Sequence, residues 1–312
     1  MYRMVRFTRK RGRTYKKNKL RRRHRGGGEE KCIFINLMGG EGLGNQLYIY
    51  AAGLMVKRKS KLPLCIIPSS GNPHSKDDYT RLFDGKRIDP ASPQSERIAA
   101  AKTVLNTGTS MNKWSNANIK YTDTNIGKNI KIKDTLYQNY SAIQPVIQEV
   151  KDSLMKNEFN KDEYKNYRDS TKSDESAFMH VRRGDYAGTA WELAIDYFFK
   201  GLDELEKNQS IKKLYIISND IEWCKSHDAE WKKHFTKEIE YDGTPKELEA
   251  LYRMILCTAG AIISGSTFSS WGAILGPDTN PKSTLVYPLI VHQYAGVENP
   301  FSFPPRWTGI KL

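Results

Sequence analysis

Several features that would place this chain quickly are absent. Its 312 residues contain only four cysteines, Cys32, Cys65, Cys224 and Cys257, far apart and never as a Cys-x-x-Cys pair. With no histidine cluster beside them a zinc site is not expected, and buried, reduced cysteines of a cytosolic protein are the simpler reading. No two aspartates alternate as Asp-x-Asp, so no ready ligand pair for a divalent cation stands in the sequence. No apolar run approaches the roughly 18–20 residues that span a bilayer, and no apolar signal core follows the basic start. A soluble, cytoplasmic chain is expected.

Charge is concentrated, not spread. Of the net +15, residues 1–30 supply thirteen lysines and arginines against only Glu29 and Glu30, which leaves +4 for all the rest. Residues 1–28 are nearly free of aliphatic side chains and end in Gly26-Gly27-Gly28. Such a segment cannot bury enough apolar surface to order itself. A disordered arm is expected, either without a specific partner or in salt-sensitive contact with nucleic acid or an anionic membrane surface.

The body alternates strand and helix signals. Cys32 to Leu37 reads as a buried strand running into Met38-Gly39-Gly40-Glu41-Gly42-Leu43-Gly44-Asn45-Gln46 and an apolar helix through Met55. Strand, glycine loop and helix outline a nucleotide-binding turn. The G-x-G-x-x-G fingerprint nevertheless fails at its third position, Asn45, and no Walker lysine follows. The loop brings backbone close to something, while Asn45 and Gln46 offer neutral donors and acceptors suited to sugar hydroxyls. Leu62 to Ile67 predicts a second strand, nothing can be placed between about Ser69 and Lys133, and a helix is expected over Ile143–Leu154. The charged stretch Lys156–Asp174 marks a boundary, giving a tail over 1–30 and two halves over 31–160 and 161–312.

The second half is more regular. Strands are predicted at Ala177–Met179, Lys213–Ile217, Ala261–Ser264 and Ser283–Tyr287. Helices are predicted around Ala194–Leu205, from Ile221, and over Lys246–Cys257, where Leu248, Leu251, Met254 and Ile255 share one face. Such alternation predicts an α/β class with parallel sheets.

The sharpest chemistry follows the first of these strands, at His180-Val181-Arg182-Arg183-Gly184-Asp185-Tyr186. In open α/β folds ligands collect at the carboxyl ends of strands. Arginine offers a planar fork that meets two phosphate oxygens at once and stays charged at any working pH. The plainer alternative is a surface arginine pair with Asp185 as a local ion-pair partner or cap. Two more strands end in polar loops, Ser218-Asn219-Asp220 and Gly265-Ser266-Thr267-Phe268-Ser269-Ser270. Capping explains one serine ahead of a helix, whereas four hydroxyls in five positions point to a phosphate site.

These segments together resemble the α-1,2-fucosyltransferase family, which moves fucose from GDP-fucose onto a sugar hydroxyl. The family's opening motif is matched by Gly42-Leu43-Gly44-Asn45-Gln46-Leu47 with Tyr48 and Tyr50, and its H-x-R-R-G-D-Y motif stands complete at His180 to Tyr186. Tyr137-Gln138-Asn139-Tyr140, Ser218 to Cys224, Ser266 to Ala273, and Trp307 resemble further family segments, in the family's order over about residues 32–310. Four departures stand out. Glu41 replaces a glycine, Ile49 stands where glutamine is usual, and Ser270 replaces a tryptophan; these bear on acceptor shape. Ala250 falls where an acidic residue is common, with Glu249 next door, and bears on guanine recognition.

The resemblance implies the glycosyltransferase B fold, two Rossmann-like parallel-sheet halves facing across a cleft. The first half would shape the acceptor side and the second would bind GDP-fucose. The implied activity is inverting transfer of L-fucose to a glycan or small saccharide, with an α-1,2 linkage to galactose or a similar hexose. Gly42, Gly44, Asn45, Gln46, His180, Arg182, Arg183, Asn219, Asp220, Ser266, Thr267, Phe268 and Ser269 would surround the donor, with Arg182 touching phosphate directly. Arg182, Asp185 and His180 are the catalytic candidates, and Glu41 and Glu192 are further candidates for the base. Charge grows on the diphosphate as its bond to fucose breaks, so positioned guanidinium groups would take the place of a metal, and no cofactor is expected. Two other readings are a same-fold transferase using another nucleotide sugar or linkage, and a binding module whose basic tail grips nucleic acid.

Overall fold

The structure, a computed structural model, describes residues 31–37, 42–68, 79–89, 98, 101–103, 129–131, 138–292, 297–298 and 303–311. The tail, Met38 to Glu41, Tyr137 and most of the stretch from Ser69 to Lys133 lie outside the described residues. Strand β1 (Ile33–Asn36) pairs in parallel with β2 (Leu64–Ile67) on one side and β5 (Ile130–Lys131) on the other. With β3 (Lys86–Arg87) and β4 (Lys102–Thr103) they form a five-stranded sheet of order β3-β2-β1-β5-β4. Both faces of β1 are covered, which is why it reads as a continuous apolar run. Ile33 and Ile35 face the large core, while Cys32 and Phe34 face a smaller one with Ile67 and Ile88. Helix α1 (Leu43–Ser60) is buried on nearly every side until Lys57, Arg58 and Lys59, whose charges suit a helix C-terminus.

Cys32 and Cys65 form a disulfide, while Cys224 and Cys257 are free and buried. This corrects the expectation of four reduced cysteines and removes the cysteine argument for a reducing compartment. The two lie 33 residues apart in sequence. Parallel pairing brings β1 and β2 side by side only after the helical crossover, so spacing alone could not reveal the pair.

Pro145 interrupts the helix expected from Ile143. In its place stand α2 (Tyr140–Ile143), a 3₁₀ turn, α3 (Ile147–Leu154) and a π-helical turn ending at Phe159, followed by α4 (Lys165–Ser170). The second sheet comprises β6 (Ser176–Val181), β7 (Lys213–Ser218), β8 (Glu238–Asp242), β9 (Gly260–Ile262) and β10 (Thr284–Pro288). Past a small antiparallel pair, β11 (Ile290–His292) and β12 (Val297–Glu298), strand β13 (Thr308–Ile310) completes it. All six strands run parallel, in the order β13-β10-β9-β6-β7-β8. Its helices are α5 (Ile195–Glu206), α6 (Ile221–Ser226), α7 (Asp228–His234), α8 (Glu247–Leu256) and α9 (Thr267–Leu275).

β6 runs two residues past its expected end, so His180 belongs to the strand. Ala177, Met179 and Val181 face a core with α5 and α7, whereas Phe178 faces the core shared with the first half. α7, β8 and β13 were not anticipated from sequence. β8 carries acids as an edge strand does, with Lys213 bridging Glu238 and Glu240.

From β6 the chain steps outward to β7 and β8, then returns to β9 on the other side of β6. That reversal makes the gap between β6 and β9 the topological switch point of the sheet. In the first sheet, β1 and β5 flank the equivalent reversal. The large core is continuous between the sheets, with Tyr48 of α1 5.0 Å from Trp271 of α9. This is the two-sheet α/β layout expected from the sequence. Among the described residues no helix is long and apolar enough to cross a membrane.

Candidate active site

Arg182 and Arg183 emerge from β6 at the switch point, into different surroundings. The Arg183 guanidinium pairs with Glu192 and, at 3.2 Å, with Asp220, and lies 4.2 Å over the Trp223 ring. Glu192 also accepts the Gly188 N–H at 2.5 Å, where φ of +72° favours glycine. Asn219 Oδ1 accepts the N–H groups of Arg183 and Gly184 at 2.9 and 3.1 Å. A Cβ on Gly184 would fall 2.3 Å from the Asn219 amide, so this clamp closes only on glycine. Asp220 caps α6 through Trp223 N at 3.3 Å. Asn219, Asp220 and Glu192 therefore brace the loop.

Arg182 donates from Nε and Nη2 to Asp185 at 2.9 and 2.8 Å, 5.1 Å from the Tyr186 ring, and its side chain remains 26% exposed. Asp185 thus realises the local ion-pair alternative. The pair uses the Nε–Nη2 edge of the guanidinium, and the Nη1–Nη2 edge of the same plane can meet a phosphate. Burial works against the charge on Arg182, but the bond to Asp185 and the charges of Asp185, Tyr186 and Glu247 outweigh it and raise its pKa.

One strand over, β9 leads through Ser264 into α9, and His180 ties the two strand ends together. Its Nδ1 lies 2.8 Å from Ser264 Oγ, and its ring 5.8 Å from Phe268. Burial, with the charge of Arg182 added, pushes His180 down to about 3. At working pH it is a neutral imidazole, a weak proton acceptor and a firm brace.

The hydroxyl run is largely turned inward, onto the backbone of its own helix start. Ser266 Oγ caps α9 by accepting from Phe268 N at 3.3 Å. Ser269 and Ser270, both fully buried, donate back to Ser266 O at 3.1 and 2.9 Å. Thr267 alone of the four stays partly exposed at the helix mouth.

The first half reaches the same place through α1. A Cβ on Gly44 would fall 2.5 Å from Phe268 N and 2.6 Å from the Thr267 carbonyl carbon, so two helix starts touch and only glycine allows it. Gly42 has nothing within 4 Å of its virtual Cβ. Asn45 Oδ1 accepts from Gln138 Nε2 at 3.0 Å, and Gln46 is buried at 1% exposure, a packing position more than a sugar contact.

Sequence reasoning passed over two further residues. Tyr79, in a 3₁₀ turn of the first half, donates its hydroxyl to Glu247 at the start of α8. The two are 168 positions apart, and no local pattern announces such a contact. Glu249 is held by Tyr167, Thr244 and Lys246 at 2.7, 2.8 and 2.7 Å, while Ala250 is buried. Among the described residues no three His, Cys, Asp or Glu side chains converge as metal ligands.

Comparison with known proteins adds the family. The model of glycosyl transferase family 11 matches residues 112–310. An alpha-1,2-colitosyltransferase of Escherichia coli is 28% identical over 106 residues, 32% of this chain and 36% of that protein. The O-antigen biosynthesis glycosyltransferase WbnK, also from Escherichia coli, is 28% identical over 106 residues, 31% of this chain and 33% of that one. The chain thus spans about a third of the length of the curated relatives it matches. Among solved structures, fucosyltransferase NodZ from Bradyrhizobium is 12% identical with a TM-score of 0.44, over 80% of this chain and 94% of that one. A point mutant of FUT1 from Arabidopsis thaliana in complex with GDP is 15% identical with a TM-score of 0.47, over 90% and 74%. The family match spans more than half of the chain and takes in both the arginine loop and the start of α9, so the chain belongs to glycosyl transferase family 11.

Proposed function

We propose that the chain is an inverting fucosyltransferase that moves L-fucose from GDP-fucose to a hydroxyl of an acceptor sugar, forming an α-1,2 linkage to galactose or a similar hexose. One observation carries this reading: Arg182 at the end of β6 and the start of α9 flank one switch point, joined through His180 and Ser264. A guanidinium fork beside a helix N-terminus suits a diphosphate whose charge grows as the bond to fucose breaks. Arg182 meets the phosphates, with Asp185 aiming it. Arg183, His180, Asn219, Asp220, Ser266 and Ser269 hold that geometry from behind. Residues 161–312 take the donor, and residues 31–160 shape the acceptor side through Gly42 and Asn45. Guanidinium charge stands in for a metal, and the basic residues of 1–28 supply anion contacts outside the reaction.

The relative named for α-1,2 transfer of colitose supports the linkage and makes nucleotide-linked colitose the rival donor. The test is incubation with GDP-fucose, nucleotide-linked colitose or UDP-galactose, with galactose- and other hexose-terminated acceptors, followed by product mass and linkage analysis. Fucosylated, 2-linked products that persist in excess EDTA are expected. Products from another donor alone overturn the donor assignment. Turnover lost to EDTA and restored by Mg²⁺ or Mn²⁺ overturns the metal-free mechanism.

A further inference from the structure

Three consecutive buried residues of the first half each hold a different element. Gln138 Nε2 donates to Asn45 Oδ1, in the first turn of α1, at 3.0 Å. Asn139 Oδ1 caps α2 by accepting from Ala142 N at 3.0 Å. Tyr140 donates its hydroxyl to Asp278 Oδ2 at 2.7 Å, in the 3₁₀ turn (Pro277–Thr279) that follows α9. Asp278 also accepts from Trp307 Nε1 at 2.8 Å and pairs with Arg306. Of these three donors to one carboxylate, Tyr140 is the one that comes from the first half. With Gly44 these contacts close a circuit. The start of α9 meets α1 at Gly44, the turn after α9 meets α2 at Tyr140, and Gln138 ties that segment back to α1. Nine residues make α9 a strut about 13 Å long, at 1.5 Å per residue. A helix held at one end can pivot about that contact, and one held at both ends cannot.

We propose that Tyr140 is a positioning residue for the transfer, whose bond to Asp278 sets the alignment of the acceptor-shaping half against the start of α9. Tyr140 touches no substrate in this role and acts through α9. The proposal rests on the GDP-fucose reading above, in which the start of α9 faces the donor phosphates. In-line displacement demands that the attacking hydroxyl and the leaving diphosphate stand on opposite sides of one carbon. A misplacement of about 1 Å, made far from the chemistry, can cost on the order of 100-fold in rate. The acceptor side and the phosphate site belong to different halves, so a bond between the halves is where such an error enters. Loss of the Tyr140 hydroxyl leaves Asp278 its indole and guanidinium donors, so the carboxylate is not stranded and the fold survives.

The test compares Tyr140→Phe with Arg306→Ala. Each removes one donor from the same carboxylate, but the bonds of Arg306, to Asp278 and Ser283, stay within the second half. Both proteins are measured for melting temperature, for GDP affinity by calorimetry, and for transfer from GDP-fucose to a soluble acceptor. Tyr140→Phe is expected to lose about 10- to 100-fold in kcat/KM for the acceptor, with GDP affinity unchanged. Arg306→Ala is expected to melt earlier and to keep its kcat/KM. Acceptor kinetics unaltered in Tyr140→Phe overturn the proposal. So does an equal loss of transfer in Arg306→Ala, since the carboxylate then matters only for stability, and so does a parallel loss of GDP affinity in Tyr140→Phe, which means general loosening. An unmodified chain that neither binds GDP nor transfers fucose overturns the function reading, and this inference with it.

Discussion

The ends of β1 and β6 hold the same place in their sheets and present opposite chemistry. Each strand flanks the reversal of a parallel sheet, and in the chain each is followed by a helix. After β6 come two guanidinium groups, each with its own carboxylate. After β1, the described residues 42–56 contain no ionised side chain, and Gly44 packs against the main chain of α9. Topology offers a crevice at both places. Side chains make one suited to an anion, as the proposed function requires, while at the other Gly44 lets two helix starts touch.

Arg182 gives the largest test of that contrast. Arg182→Ala and Arg182→Lys should each cut turnover on the order of 100- to 1000-fold, the scale for losing one preorganised donor to developing charge. Lysine fails because it offers a point charge in place of a fork. GDP should stop raising the melting temperature of either variant. The unliganded melt should hardly move, because so exposed an ion pair is worth about 0–1 kcal/mol. Arg183→Ala should behave in reverse, lowering the melt as two carboxylates and a stacked indole lose their cation. An Arg182 variant that melts early yet binds GDP normally would falsify the donor assignment.

At the other strand end the expected effect falls on stability. Gly44→Val drives a side chain into the Thr267–Phe268 backbone at 2.5–2.6 Å. A cost of about 1–3 kcal/mol, typical of overpacking, should appear as an earlier urea midpoint with an unchanged slope. Equal midpoints would mean that α1 and α9 do not meet there.

His180, the brace between the two strand ends of the second sheet, makes a prediction in pH. Its folded value of about 3 lies below the ordinary 6.5, so the folded state favours the neutral ring. That contribution is fully present above pH 6.5 and is lost as pH falls toward 3, at up to about 1.4 kcal/mol per unit. Against burial, Arg81, Lys161 and Tyr164 hold the Glu158 carboxyl low, and Asn157 and Lys156 do the same for Asp84. Those groups lose their stabilisation below the ordinary carboxylate range, so the window from pH 6.5 to 5 isolates the histidine. There the unmodified protein should lose about 2 kcal/mol more than His180→Asn, measured by denaturant titration. Parallel curves would show that a solvated imidazole stands at this position.

What could be read from the sequence followed from local causes. β6 and β9 are apolar runs that stop at chemically distinct residues, so both strands and the arginine loop were legible. β8 was not, because an edge strand of alternating acids resembles a charged loop. The disulfide and the Tyr79–Glu247 contact depend on which distant segments pair, and a one-dimensional pattern does not carry that. The serines ahead of α9 are ambiguous in sequence for another reason. A hydroxyl ahead of a helix can serve a ligand or its own backbone, and only the inward burial of Ser269 and Ser270 decides between them.

The smallest expected effect comes from Gly42, and it separates the two glycines of one motif. Its φ of −64° and ψ of 165° suit any residue, and no atom lies within 4 Å of the place an added methyl would take. Gly42→Ala should therefore fold normally, and a gain of about 0.4–1 kcal/mol from a less flexible unfolded chain is expected. On the proposed reading, in which the phosphates meet the arginine loop and Gly42 lies on the acceptor side and not among the donor contacts, GDP binding should not change. If the acceptor passes close to the backbone here, the added methyl stands in its way, and KM for the acceptor should rise while kcat at saturation holds. The pair of glycines then divides cleanly, with Gly44 set by the fold and Gly42 by the substrate. Unaltered acceptor kinetics in Gly42→Ala would remove this strand end from the acceptor side and leave it only the spacing role that Gly44 already performs.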